Sequence, residues 1–126
     1  MKKILFLLLL ALPLLGNAQT WFKTNKYCLI EENKQDTWYK CDARVLVDKE
    51  RNVKIIEAKK TRTFRAVSDD YREEVDDRGE QLFWKAVDDD VERCVIYLIF
   101  PKERDSVLLR IRYINFDVMY IMKFDD

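Results

Sequence analysis

The chain has 126 residues, with 23 basic and 23 acidic side chains, three cysteines, two glycines and no histidine. The even charge balance excludes a nucleic-acid binder, which needs a basic footprint. The missing histidine removes Ser-His and Cys-His nucleophile activation and the commonest zinc ligand.

Residues 1–18 read as an export leader. Lys2 and Lys3 make a positive start, Ile4 to Leu15 is an apolar run broken only by Pro13, and Gly16-Asn17-Ala18 is a small-residue cleavage site. That apolar run is too short to cross a hydrocarbon core of ~30 Å, and no later run approaches spanning length. Residues 19–126 are therefore expected to form the mature chain, a single β-domain. It is exported, periplasmic or secreted, with no membrane span. Without Lys2 and Lys3 it carries two more acids than bases.

Strands are predicted over 26–31, 38–48, 53–58 and 61–67. In the second, Tyr39, Cys41, Ala43, Val45 and Val47 alternate with Lys40, Asp42 and Arg44, the period of a half-buried strand. Residues 48–52 form a polar hairpin turn. Ser68 to Glu80 reads as a short helix. Ser68 stands at the N-cap, Asp69 and Asp70 in the first turn, Val67, Tyr71 and Val75 at a spacing of four, and Gly79 after the end. Asp76 and Asp77 oppose it, since acids are unfavourable near a helix C-terminus.

A fifth strand is predicted over 81–87, followed by a turn at Asp88-Asp89-Asp90. Three more strands, 92–100, 106–114 and 117–124, make a meander. The first of these is apolar on both faces: Cys94, Ile96, Leu98 and Phe100 on one, Val95, Tyr97 and Ile99 on the other. In the next, Leu109 and Ile111 alternate with Arg110 and Arg112.

Eight short strands joined by tight turns read as an all-β fold. An antiparallel up-and-down barrel, with the helix between strands four and five, is favoured over a β-sandwich. Sequential short turns favour up-and-down neighbours, and closure removes exposed edges.

Export permits a disulfide, and Cys41 is common to both candidate pairs, with Cys94 or with Cys28. No cofactor is indicated. Ser68 and Ser106 have no visible base, the cysteines lack zinc-ligand spacing, and two glycines cannot build a phosphate-cradling loop. The acids at 69–80 and 88–92 would form an acidic rim if their loops met at one barrel mouth. With Tyr71, Trp84, Asp88 and Asp90, that mouth is the candidate binding site.

Trp38-x-x-Cys41-Asp42, followed by Ala86-x-Asp88-x-Asp90-x-x-x-Cys94, resembles a pattern in short exported bacterial β-domain proteins of unknown function. The resemblance implies a small periplasmic domain with no enzymatic activity. The architecture is similar to that of lipocalins, without their G-x-W: Gln19 stands two residues before Trp21 and Asp36 two before Trp38. Size and cysteine usage are also similar to those of small periplasmic lysozyme inhibitors. The expectation is a non-enzymatic binding or interaction protein of the bacterial cell envelope, with an unknown protein partner or a small apolar ligand. The alternatives are a carrier with a small apolar ligand in a barrel cavity, and an inhibitor of an exported enzyme.

Overall fold

A computed structural model describes residues 19–125 except Asp69 and Arg104. The leader expected over 1–18 lies outside the described residues. The strands are β1 (Thr20–Glu31), β2 (Thr37–Val47), β3 (Val53–Glu57), β4 (Thr61–Ala66), β5 (Arg72–Asp76), β6 (Gly79–Val87), β7 (Arg93–Pro101), β8 (Val107–Arg112) and β9 (Phe116–Phe124).

All pairings are antiparallel, in the order β4-β3-β2-β1-β9-β8-β7-β6-β5. Arg65 opposite Val87 and Ala66 opposite Ala86 join β4 to β6. That contact closes an eight-stranded barrel and leaves β5 outside the ring, so the sandwich alternative falls. The up-and-down order is consistent with the lipocalin-like architecture.

Closure follows from alternation. Each strand sends every second side chain inward, and eight strands leave an interior just wide enough for side chains to fill. Phe22, Val45, Val53, Ile55, Ile96, Leu98, Leu109 and Met122 do so with essentially no exposure. Burying one such side chain fully stabilises the fold by roughly 1.5–3 kcal/mol. Leu109 and Ile111 face inward, as their alternation with Arg110 and Arg112 requires.

The helix expected over 68–80 is a correction: the described residues contain no helix. Arg72 to Asp76 instead pair with Phe83 to Gly79 on the edge of β6. A helix of one or two turns is marginal in water, and this one had only a narrow apolar stripe to bury. The strand gains backbone partners that the helix would have left unpaired on β6. Ser68 Oγ accepts from the Asp70 N–H at 3.3 Å, a local turn rather than a cap. Asp76 Oδ1 accepts from the Arg78 N–H at 2.8 Å and turns the hairpin. Gly79 follows at φ 145°, where an added Cβ would meet the Phe100 carbonyl oxygen at 2.3 Å. The charged side chains of β5 suit an outer edge, because charge discourages further strand pairing.

β4 and β5 lie along the same edge of β6, one after the other. The pairing runs Ala66–Ala86, then Val67 N–H to the Lys85 carbonyl at 3.0 Å, then Arg72–Phe83. Between those last two contacts Trp84 has no ladder partner on this side. The barrel wall is broken there.

The expected disulfide is also corrected, since Cys28, Cys41 and Cys94 are all free thiols. Cys28 lies opposite Trp38 rather than Cys41, because the chain turns near Asn33, with the Lys34 N–H donating to the Glu31 carbonyl at 3.3 Å, earlier than the turn expected at Lys34-Gln35. The strands of Cys41 and Cys94, β2 and β7, stand four places apart in the ring in either direction. A disulfide needs Cα atoms within about 7 Å.

Candidate binding surface on the outer wall

The outer surface of β6–β9 follows from β7 being apolar on both faces. Its inward side chains, Cys94, Ile96, Leu98 and Phe100, are buried in the barrel, while Val95, Tyr97 and Ile99 point outward and stay half-buried. Register continues these three across the wall. Tyr97 lies between Phe83 and Arg110, with Met119 beyond. Ile99 lies between Gln81 and Leu108, with Ile121 beyond. The Phe83 and Tyr97 rings stack with centroids 5.2 Å apart. Arg110 donates to Asp117, at 2.6 Å from Nε to Oδ2.

Toward the β6–β7 turn the wall becomes a chequerboard of valine and base. Val67 sits beside Lys85, Lys85 opposite Val95, and Val95 opposite Arg112. In the next row Arg65 stands opposite Val87 and Val87 opposite Arg93. These residues line an open groove of about 1150 Å³. Among the described residues, Arg65, Lys85 and Arg93 form no ion pair, and Arg112 only reaches Asp117 at 4.0 Å. Val91 and Ile114 overhang the groove at the tips of two turns, 74% and 97% exposed.

Those turns are built by Asp88. Its Oδ1 accepts from the Asp90 and Glu92 N–H groups at 2.9 Å, and its Oδ2 from the Tyr113 hydroxyl at 2.7 Å. Burial would raise the Asp88 carboxyl, but the Tyr113 hydroxyl, the two backbone donors and the Arg62 charge together hold it below its ordinary value. Asp48 makes the same turn at the other mouth, accepting from the Glu50 and Asn52 N–H groups at 2.9 Å. Each turn places its fourth residue in the left-handed region, Arg51 at φ 67° and Val91 at φ 62°.

Of the expected site residues, the fold brings Tyr71 and Trp84 together and separates them from Asp88 and Asp90. β4 and β5 run toward one mouth, and the β6–β7 turn lies at the other. The two acidic segments therefore do not form a single rim. Tyr71 and Trp84 border a cleft of about 590 Å³ at the wall break, with Phe83, Tyr97, Lys85 and Arg72 around it. Tyr71 carries the Arg51 guanidinium 3.8 Å above its ring. Trp84 is 3% exposed and its indole Nε1 is buried without a hydrogen-bond acceptor.

Sequence reasoning found the two-faced β7 but missed the groove. The valines and bases come from four strands, and only register makes them neighbours. The one local signal was Val91, a β-branched residue at a turn position that favours glycine or asparagine.

Two titratable groups beside the groove are shifted by burial. Burial pushes the Cys94 thiol up to about 12, with the Asp88 charge adding to the shift, so it stays protonated at neutral pH. Burial likewise raises the Tyr113 hydroxyl, helped by its bond to Asp88. Among the described residues no cluster of three or more acidic, cysteine or histidine side chains could hold a metal ion, and no helix is long and apolar enough to cross a membrane. Comparison with known proteins matches no family, no curated protein and no solved structure.

Proposed function

We propose that this chain is a non-enzymatic binding protein of the bacterial cell envelope that engages a protein partner through the outer wall of β6–β9. The observation that carries the reading is β7, apolar on the barrel side and on the outer side alike. One face fills the core. The other, continued by Phe83, Leu108, Met119 and Ile121, is the kind of patch that marks an interaction site on a folded domain. The unpaired bases beside it favour an acidic rim on the partner, since opposite charge steers encounter and fixes register.

The barrel interior supports this reading over a carrier, because large side chains occupy the space an internal apolar ligand would need. Inhibition of an exported enzyme is a special case of the same docking. The leader expected over residues 1–18 supports the envelope location.

The test replaces Tyr97 with glutamate and Val95 with aspartate, both on the outer face. Wild type should retain a partner from envelope extract on a column, and the double variant should lose it while keeping its circular dichroism and melting temperature. Equal retention by both would overturn the assignment of this wall.

A further inference from the structure

Where β1 bulges, its outer face gathers lysines that no described acid pairs with, and we infer that they bind a phosphate monoester carrying hydroxyl groups. The inference does not depend on the protein partner proposed above.

Register makes the cluster. Lys23 of β1 stands directly opposite Lys123 of β9 on one side and Arg44 of β2 on the other. Like charges directly opposite each other across a sheet are destabilising. Arg44 is compensated, because its guanidinium meets Asp125 at 3.1 Å and lies over the Trp21 ring. Lys23 and Lys123 form no ion pair among the described residues.

The bulge adds a third cation. Pairing of β1 is interrupted on both sides, between Thr24 and Lys26 toward β2 and between Thr24 and Tyr27 toward β9. Thr24 is buried, and its hydroxyl donates to the Ile121 carbonyl at 2.7 Å, which fastens the chain at the irregularity. The Tyr27 ring packs on Tyr120, a core residue. Between these two inward residues both Asn25 and Lys26 are exposed, where regular alternation would expose one. Lys26 thereby joins Lys23 and Lys123 around one pocket of about 490 Å³. Bulges re-aim side chains in this way beside functional sites.

The lining selects the ligand. Three ammonium groups and the Asn25 amide face a phosphate monoester with three acceptor oxygens and nearly two negative charges. Its binding offsets the repulsion that the free protein carries between Lys23 and Lys123. Asp42 is the one described carboxylate on the lining, and it also forms no ion pair among the described residues. A bare phosphate gains nothing from that acceptor, whereas a ligand hydroxyl donates to it. The volume is in the range of small-molecule sites.

The test uses glucose 6-phosphate, inorganic phosphate and glucose as probes at low ionic strength, with melting temperature and titration calorimetry as readouts. Glucose 6-phosphate should raise the melting temperature of the wild type in a saturable way. It should bind about tenfold more tightly than inorganic phosphate, and glucose should not bind. Lys123→Gln removes one of the two opposed charges at an exposed position. Without ligand it should melt above the wild type, and it should bind the sugar phosphate about tenfold more weakly. Asp42→Ala should bring the affinities for glucose 6-phosphate and inorganic phosphate together. No saturable rise with glucose 6-phosphate, equal affinity of the wild type for it and inorganic phosphate, or unchanged affinity in Lys123→Gln would each overturn the assignment. So would a ligand-free Lys123→Gln protein that melts below the wild type, since the opposed lysines would then carry no repulsion for a ligand to relieve.

Discussion

The Tyr113 hydroxyl donates to Asp88 Oδ2 at 2.7 Å and so fastens the β8–β9 turn to the β6–β7 turn. The bond holds the two exposed tips, Ile114 and Val91, over one groove. It also makes stability depend on pH at two limits. The Asp88 carboxyl is lowered in the fold, so its contribution is present above its ordinary value of 3.8 and is lost as pH falls below it. The Tyr113 hydroxyl is raised in the fold, so its contribution is complete below its ordinary value of 10.0 and is lost as pH rises beyond it. Tyr113→Phe should cost about 1 kcal/mol between those limits. The cost should shrink toward both extremes. Melting curves of the two proteins that stay parallel across the whole range would refute the coupling.

Neighbouring residues of β8 should respond differently to truncation. Ile111 is 2% exposed in the core, so Ile111→Ala should lose roughly 2–5 kcal/mol from lost burial and a residual cavity. Arg110 lies on the outer face and pairs with Asp117, which is only 8% exposed. Arg110→Ala leaves that carboxylate with Arg112 alone, 4.0 Å away, and should lose about 1–2 kcal/mol. Denaturant unfolding measures both. Equal costs would contradict the inward and outward assignment of this strand.

Val91 holds a left-handed backbone at φ 62° while its side chain is 74% exposed. A branched residue there costs the fold about 1–2 kcal/mol relative to one that tolerates the conformation. Val91→Asn should raise stability by about 1 kcal/mol and weaken partner retention on the column. A stabilised variant that retains the partner fully would remove this tip from the binding surface.

The cysteines should behave as three free thiols. In denaturant, without reductant, alkylation should add three labels. In the native state at pH 8, Cys41 is half-buried and should react first. Cys28 and Cys94, both buried, should react later, and burial also holds the Cys94 thiol near 12. A native mass with two hydrogens missing would reinstate a disulfide.

The fold was legible in the sequence wherever the signal is local. Alternation marked Leu109 and Ile111 against Arg110 and Arg112, and the run Cys94–Phe100 read as apolar on both faces. Side-chain direction depends only on position along one strand. The segment 68–80 was misread because helix cues at Ser68 and Gly79 are local too, whereas the unpaired edge of β6 that captures β5 comes from elsewhere in the chain.

What the sequence determined by itself is eight of the nine strands, their inward and outward faces, and the up-and-down order that short turns impose. Tertiary structure alone decided the rest. Ring closure set β2 and β7 on opposite sides of the barrel and so kept Cys41 from Cys94. The interruption between β4 and β5 opened the wall at Trp84 and drew Tyr71 to it. Register across four strands made a groove of scattered valines and bases. These features rest on pairing between distant residues. A bulge or turn of different length slides one strand past another while leaving the alternation within each strand unchanged.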